Sequence, residues 1–301
     1  MDIDALNAEH RLQGSLRLRE GRGGLPVIEI DNGLASARIS LHGGQVLAYR
    51  PAAAGRDLLF ESTRAWFEPG RATKAGIPIC WPWFGRDPQG RTIHGFVGER
   101  RWTLLGTANL PSGAARVRLG ISDDAETRAI WPHRFDLAVE ATVGETLSVE
   151  LIARNTGSQP YRVTQGLHSY FRVGDVRRTR LLGLEGCRYI DKSVGGDEAI
   201  RVQAGPVLVD REVNRIYERV PPDLVLEDPT LGRRIRIASR HSSTCVVWNP
   251  WIETARAMED LGDLDYLDFL CVETVNAASE VIEIPSGDEV RLAAEMAVEP
   301  L

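Results

Sequence analysis

Three stretches of the chain combine aromatic side chains, glycine and a small number of polar groups. They are residues 74–85 with 93–96, residues 166–175, and residues 246–251 with 269–277. This mixture is typical of a concave binding site, in which rings form the walls and a few polar atoms orient the ligand. The groups that could act on such a ligand are the imidazoles of His94 and His168 and the carboxylate of Glu273.

These residue types alone do not decide between catalysis and structure. A histidine among apolar and aromatic neighbours, such as His94 or His168, is more often a hydrogen-bonded core residue than a catalyst. Glu273 is more informative because it follows the apolar run 269–272. A carboxylate in a core-like strand costs several kcal/mol unless it is paired or used. Four tryptophans could either pack in the core or stack against a sugar: Trp81, Trp83, Trp248 and Trp251.

Alternation of polar and apolar residues predicts short β-strands along most of the chain. The clearest pair is 135–143 and 146–153, whose connection at Gly144-Glu145 is short enough for a hairpin. Further strands are expected at 26–30, 35–41, 45–49, 116–121, 233–238, 244–248, 269–275, 280–284 and 290–298. Helical periodicity is confined to 3–17, 124–130 and 252–260. Because these helices could not cover a parallel sheet, the pattern predicts an all-β fold, a large antiparallel β-sandwich.

Length, composition and charge narrow the class of protein. The 301 residues contain no repeat and no linker, and all-β sandwiches reach about 250 residues as one unit. We therefore expect a single domain over residues 1–301, with residues 1–24 as an N-terminal extension. The formal net charge of −6 disfavours nucleic acid and anionic membranes as partners and favours a neutral or small substrate.

The sequence also predicts a compartment. No stretch approaches the roughly 18 to 20 apolar residues that span a bilayer, and residues 1–4 lack the start of a signal peptide. The cysteines are far apart and form no C-x-x-C motif, so we expect no metal site and no redox pair. A cytoplasmic protein with small, buried, apolar cysteines is the expectation for Cys80, Cys187, Cys245 and Cys271.

Six motifs occur in the same order as in a known family. They are GIPICWPWFG at 76–85, HGF at 94–96, LHSYF at 167–171 with VGD at 173–175, NRIY at 214–217, WNP at 248–250 and CVET at 271–274. In these residues the chain resembles the glucose-6-phosphate 1-epimerases, the D-hexose-6-phosphate mutarotases of the aldose 1-epimerase superfamily. The resemblance covers roughly residues 25–298. It implies a β-sandwich of the galactose-mutarotase-like type, in agreement with the strand pattern.

The resemblance implies that the chain interconverts the α and β anomers of a hexose 6-phosphate through the open-chain aldehyde, without a cofactor. Ring opening needs a base for the C1 hydroxyl and an acid for the ring oxygen, and closure uses the same groups in reverse. Glu273 matches the family's base and His168 its acid. His94 matches a second histidine that holds the sugar, and Asp210 matches an acidic residue that binds sugar hydroxyls.

The sequence departs from the family pattern where the phosphate binds. Lys74 stands where the family usually has arginine, and Gly98 replaces the arginine of the family motif HGFARN. Both family arginines face the phosphate, and a lysine does not reproduce their bidentate contact. Four arginines close by in the sequence could supply the missing positive charge. They are Arg86, Arg91, Arg100 and Arg101, and we expect Arg86 or Arg100 to face the phosphate rather than the solvent.

Other functions remain open at this point. The chain could be a non-catalytic carbohydrate-binding or regulatory protein on the same fold, or an aldose 1-epimerase for unphosphorylated hexose. A hydrolase would require a second carboxylate as marked as Glu273. For an epimerase, reference pKa values of about 4.3 and 6.5 predict an activity plateau at about pH 5 to 7, with a flat upper limb if a neutral imidazole is the acid. We expect one cleft to contain His94, His168, Asp210 and Glu273, with Trp81, Trp83 or Trp248 in its wall.

Overall fold

Antiparallel sheets make up most of the molecule. The computed structural model describes residues 2–87, 89–193 and 199–301. One eight-stranded sheet follows the order β15 (Ala199–Val202), β14 (Arg188–Asp191), β16 (Val213–Glu218), β19 (Thr244–Asn249), β20 (Phe269–Asn276), β11 (Gln165–Leu167) and β5 (Ile79–Cys80), and β12 (Tyr170–Arg172) also pairs with β20. We call this the site sheet, because it carries the residues discussed below.

A second eight-stranded sheet, the back sheet, is also antiparallel. Its order is β13 (Arg180–Leu182), β17 (Asp223–Asp228), β18 (Arg233–Arg240), β22 (Glu289–Pro300), β9 (Leu147–Asn155), β8 (Phe135–Val143), β7 (Ala115–Ser122) and β6 (Thr103–Asn109). A four-stranded sheet contains β1 (Leu16–Glu20), β2 (Pro26–Asp31), β3 (Ala35–Ser40) and β4 (Val46–Pro51), and a small pair contains β10 (Tyr161–Val163) and β21 (Ile282–Ile284).

The two large sheets face each other across one apolar core. Leu151 and Leu292 from the back sheet belong to the same buried cluster as Val247, Leu270 and Val272 from the site sheet. Burial of apolar side chains is the main free-energy gain of such a sandwich. The structure therefore confirms the predicted all-β class with antiparallel sheets.

Most predicted strands appear within one to three residues of their expected ends. The hairpin across Gly144 is confirmed, with Val143 in register with Leu147. The described residues form the α-helices α1 (Ile3–His10), α2 (Ala125–Ile130) and α3 (Trp251–Ala257). The helix expected over 3–17 was wrong beyond residue 10, because Leu16 and Leu18 alternate with Arg17 and Arg19 and enter the core as strand β1. Part of the expected N-terminal extension thus packs against the rest of the fold.

None of the helices in the described part of the chain is long and apolar enough to cross a membrane. Three cysteines are buried free thiols, as expected, whereas the fourth is half-exposed. The buried ones are Cys80, Cys245 and Cys271, and the half-exposed one is Cys187.

Candidate active site

Strand β20 places Glu273 on the face of the site sheet that points away from the back sheet. Its even-numbered members Leu270 and Val272 belong to the main core, while Cys271 and Val275 belong to clusters on the opposite face. Because side chains alternate along a strand, Glu273 shares the face of Cys271 and Val275. All eight residues of β20 are buried, and the Glu273 side chain is only 1% exposed.

His168 reaches the same face from the connection between β11 and β12, which both pair with β20. Its backbone N–H donates to the Pro78 carbonyl at 3.0 Å. Its ring lies parallel to that of Tyr170, with centroids 4.7 Å apart and an angle of 7°, and meets Trp248 edge-on at 6.0 Å. Stacking and packing thus fix the imidazole plane.

The imidazole and the carboxylate face each other. Nδ1 of His168 lies 3.5 Å from Oε2 of Glu273, and neither atom has a hydrogen-bond partner among the described residues. Burial raises the pKa of Glu273 well above its ordinary value. Burial also lowers the pKa of His168, and electrostatic interactions with His94 and Lys74 lower it further. Burial therefore favours the uncharged form of both groups.

His94 is held beside His168 by a tight loop. Its N–H donates to the Gly85 carbonyl at 2.9 Å, and Nδ1 accepts from the Gly85 N–H at 3.1 Å. Since Nδ1 is an acceptor, the neutral ring carries its proton on Nε2. Burial, aided by the charge of Lys74, lowers the pKa of His94 to about 4. With its centroid 5.1 Å from that of His168, His94 is a neutral hydrogen-bonding group at neutral pH.

Lys74 adds a mostly buried positive charge to this group. Its Nζ lies 3.2 Å from Oδ2 of Asp260 and 5.9 Å from the centroid of the Trp248 ring. The side chains of Lys74 and Asp260 are 10% and 17% exposed. The Asp260 carbonyl accepts a hydrogen bond from Ser62, so the loop that carries the carboxylate is anchored against the segment that precedes Lys74. A phosphate that approached Lys74 would meet a cation that already has a partner.

The tryptophans divide between wall and core. Trp248 is half-buried and stands edge-on to both His168 and Tyr170, so it forms part of the wall. The expectation of a substrate contact for Trp81 was wrong, because its ring is fully buried and packs edge-on against Trp131 at 5.0 Å. Trp83 is buried as well, and its ring is covered by the Arg91 guanidinium at 4.1 Å. All three tryptophans lie in short apolar stretches of the sequence, so the sequence alone could not show which rings lie in the wall of the site and which in the core.

Several expected binding residues lie at the surface. Asp210 is exposed, in the loop before β16, and its carboxylate binds the neighbouring Arg211 at 2.8 Å. Arg100 pairs with Glu126 at 3.2 Å, and Arg91 binds Asp87 at 2.8 Å. Arg86 is exposed, and no partner for its side chain is found in the described part of the chain. The structure thus joins Lys74, His94, His168, Trp248 and Glu273 but leaves Asp210 and the arginines outside their contacts.

Three site residues received no role from the sequence. Tyr170 and Cys271 could have been found, because each lies two residues from a candidate, His168 or Glu273, and so shares its face in an extended chain. Asp260 carries no such signal, since it lies in a loop after α3 and reaches Lys74 only through the tertiary fold.

Comparison with known proteins decides the family. The family model described as "Aldose 1-epimerase" matches residues 26–296. The chain belongs to the aldose 1-epimerase family. It is therefore an isomerase of the aldose 1-epimerase type, and the predicted family is confirmed.

Individual relatives of this aldose 1-epimerase agree with that assignment. A Salmonella typhimurium protein named "Putative glucose-6-phosphate 1-epimerase" is 34% identical over 256 residues, which cover 85% of this chain and 84% of that protein. The crystal structure described as "a putative mutarotase (YeaD)" from Salmonella typhimurium has a TM-score of 0.89 at 31% identity and covers 99% of both chains. A galactose mutarotase related enzyme from Lactobacillus acidophilus, with a TM-score of 0.73 at 13% identity over 91% of this chain and 97% of that one, shares the fold.

Proposed function

We propose that this aldose 1-epimerase interconverts the α and β anomers of a hexose 6-phosphate, with Glu273 as the base and His168 as the acid. The observation that carries the proposal is the pair of unpartnered proton-transfer groups, 3.5 Å apart, on the outer face of the site sheet. The phosphorylated substrate is supported by the name of the Salmonella typhimurium relative.

The reaction conserves protons and needs two positioned groups. Glu273 removes the proton of the C1 hydroxyl while His168 gives a proton to the ring oxygen, so that the C1–ring oxygen bond breaks and the C1 carbonyl forms. Rotation about the C1–C2 bond exposes the other face of the aldehyde. His168 then takes the hydroxyl proton back, Glu273 returns its proton to the carbonyl oxygen, and the ring closes as the opposite anomer.

The burial of the pair supports this chemistry. A raised pKa makes the Glu273 carboxylate a stronger base toward a hydroxyl, and a lowered pKa keeps the imidazole of His168 neutral at neutral pH, with one ring N–H to donate to the ring oxygen. The stacked Tyr170 ring keeps His168 in one orientation during both half-reactions. Trp248 offers a ring to an apolar sugar face, and Nε2 of His94 offers a donor to a hydroxyl.

The other proposed contacts lie toward the rim. We assign Asp210 to sugar hydroxyls, and Lys74 with Arg86 or Arg100 to the phosphate. Both arginines are near the loop that holds His94, but Arg86 has the freer side chain, because Arg100 binds Glu126. We place the activity in the cytoplasm, where four free thiols stay reduced.

An unphosphorylated hexose is the second candidate substrate. The pairing of Lys74 with Asp260 favours it, because the ammonium is already compensated by a carboxylate at 3.2 Å. Comparing kcat/KM for glucose 6-phosphate, glucose and galactose by saturation-transfer NMR separates the two candidates. A preference of at least about tenfold for glucose 6-phosphate supports the first, and equal values leave a general aldose 1-epimerase.

The roles of the pair are tested by substitution. Glu273→Gln and His168→Asn are each expected to lower kcat about 10²- to 10⁴-fold, since each removes one proton-transfer group. His133→Asn is the matched control, because His133 also packs against aromatic rings, those of Trp131 and Tyr161, with ring planes tilted by 54°. Near-wild-type rates in a folded Glu273→Gln or His168→Asn variant, judged by circular dichroism, would refute the assignment.

A further inference from the structure

The proposed reaction leaves one nucleophilic group at the centre of the site without a use. Cys271 lies two residues before Glu273 on the same face of β20, and its side chain is fully buried. One ligand atom each from His168, Cys271 and Glu273 lies within 4.8 Å of the other two. The three donors are a nitrogen, a sulfur and an oxygen.

We propose that His168, Cys271 and Glu273 bind a thiophilic divalent cation, with Zn²⁺ as the fitting ion, and that the bound ion blocks anomerisation. Zn²⁺ takes imidazole, thiolate and carboxylate ligands in tetrahedral sites, at about 2.0 Å from nitrogen or oxygen and about 2.3 Å from sulfur. Donor atoms in such a site are separated by roughly 3.3 to 3.8 Å. The 3.5 Å between Nδ1 of His168 and Oε2 of Glu273 lies within this range, and no two of the three donors are more than 4.8 Å apart, so side-chain rotations of about an ångström or less complete the site.

One observation besides the donor types points to a ligand at this place. Nδ1 of His168 and Oε2 of Glu273 are buried, lie 3.5 Å apart and have no partner among the described residues. A cation between them would satisfy both atoms, and unsatisfied buried polar atoms are costly. The backbone around the donors is held by strand pairing, since Tyr170 lies in register with Cys271.

The site has one accessible side. The His168 side chain is 10% exposed, whereas Glu273 and Cys271 are 1% and 0% exposed, and Cys271 packs in the buried cluster of Tyr170 and Phe269. An ion therefore enters from the side of His168, and its fourth ligand is a water molecule or a substrate hydroxyl. The thiol and the carboxylic acid lose their protons as the ion binds.

Inhibition follows from the proposed function, while ion binding does not depend on it. The ion occupies His168 and Glu273, which are the acid and the base of the proposed reaction. Zn²⁺ therefore prevents both proton transfers without displacing any part of the fold. The sequence indicates no metal site, because two ligands come from β20 and the third from the β11–β12 connection, about a hundred residues earlier in the chain, and only one of them is a cysteine.

The experiment titrates Zn²⁺ into chelator-treated protein by isothermal calorimetry and measures the anomerisation rate in parallel. We expect one ion per chain and a rate that falls to less than about a tenth at saturation. Cys271→Ser should weaken binding by at least about tenfold, because even the loss of a residue that only supports a zinc ligand costs about 10- to 100-fold. Inhibition is expressed relative to each variant's own metal-free rate.

Cys245→Ser is the matched control. Cys245 is also a buried thiol on the site sheet, but it belongs to the main core on the opposite face. The Zn²⁺ affinity of the Cys245→Ser variant should equal that of the wild type. If Cys271→Ser does not fold, Cd²⁺ added to the wild type reports on the thiolate through its charge-transfer absorbance, which Cys245→Ser should retain.

Two results would overturn the proposal. The first is no binding of Zn²⁺ by the wild type, with no cadmium–thiolate band. The second is unchanged affinity in a folded Cys271→Ser variant, which would locate the ion elsewhere. A protein that binds Zn²⁺ through Cys271 but never catalyses anomerisation would instead refute the proposed function and leave the metal site intact.

Discussion

Glu273 and His168 owe their chemical character to burial. At the scale of single residues, both lie on the outer face of the site sheet, yet each is almost excluded from water. Desolvation opposes the charged form of each group, so it moves the pKa of the carboxyl up and that of the imidazole down. The same feature of the fold thus sets the protonation of both the acid and the base.

The pH dependence of the rate follows from these directions. Glu273 acts only as a carboxylate, and its pKa lies above the ordinary value of 4.5, so kcat/KM should rise with pH with a midpoint above 4.5. Because the pKa of His168 lies below its ordinary value, the neutral imidazole is the donor at neutral pH and no upper limb is expected. The plateau expected from reference values at about pH 5 to 7 therefore moves upward. A pH profile of kcat/KM for the free enzyme checks this, and a midpoint at or below 4.5 would contradict it.

Asp260 is expected to control the response of the site to a negative charge. Asp260→Asn removes the carboxylate 3.2 Å from Lys74 but keeps its shape, so the ammonium becomes available to a phosphate. A charge-assisted hydrogen bond is worth about 1.5 to 3 kcal/mol, which corresponds to about 10- to 10²-fold in affinity. The ratio of kcat/KM for glucose 6-phosphate to that for glucose should rise by about tenfold.

Two variants keep this prediction falsifiable. Lys74→Met should lower the same ratio, and Asp263→Asn is the control, because Asp263 lies in the same loop but pairs with Arg64 at the surface. An unchanged ratio in Asp260→Asn would mean that Lys74 does not meet the phosphate.

At the scale of elements, the loop that carries His94 depends on one glycine. Gly95 has a φ of 79°, and a Cβ atom there would lie 1.8 Å from the Trp81 carbonyl oxygen. Gly95→Ala must therefore displace backbone that also fixes His94, whose carbonyl accepts from the Trp81 N–H. A left-handed backbone alone costs about 1–2 kcal/mol for a residue with Cβ, and the clash adds to it.

We expect Gly95→Ala to lose at least about 2 kcal/mol in urea unfolding and to bind sugar less well. Gly55→Ala isolates the effect of the clash, because Gly55 also has a positive φ, 62°, but a Cβ atom added there would meet no atom within 4 Å. Equal losses in the two variants would show that backbone conformation alone explains the cost.

The elements also show which parts of the structure the sequence could predict. Strands 135–143 and 269–276 carry clear apolar patterns, and their predictions were confirmed. The strand that begins at Leu16 was not predicted, because its alternation of apolar and polar residues is short and follows a helix. Trp81 was misassigned because local sequence cannot distinguish a ring on the wall from one behind it. Asp260 was missed because its contact with Lys74 joins residues far apart in the chain.

At the scale of the whole molecule, the sandwich separates stability from chemistry. The core between the site sheet and the back sheet uses one face of β20. The other face is therefore available for the polar groups of the site, which the packing of the two sheets does not require. Val246 of β19 pairs in register with Glu273 of β20, so the pairing of these two strands holds the backbone of Glu273 in place. The YeaD protein has the same architecture, with a TM-score of 0.89.

The charge of the whole molecule gives the last prediction. Forty-two acidic and 36 basic side chains leave a net charge of −6, so the long-range field repels a phosphorylated sugar. A local arginine acts in the opposite direction over a few ångströms. Arg86 is the candidate, because it is exposed, lacks a partner among the described residues and follows Gly85, whose backbone holds His94.

The two effects respond to salt with opposite signs. If Arg86 contacts the phosphate, added salt should weaken that exposed contact and lower kcat/KM for glucose 6-phosphate, while the value for glucose stays constant. In Arg86→Ala the local attraction is gone, so the value should drop by between about twofold and tenfold at low salt. Only the long-range repulsion then remains, and because the Debye length shrinks from about 30 Å at 0.01 M to about 10 Å at 0.1 M, added salt should raise the rate.

Arg101→Ala, which removes another exposed arginine and changes the net charge equally, is the control. The same salt dependence in both variants would exclude Arg86 as the phosphate ligand, because a change in net charge alone would then explain the result.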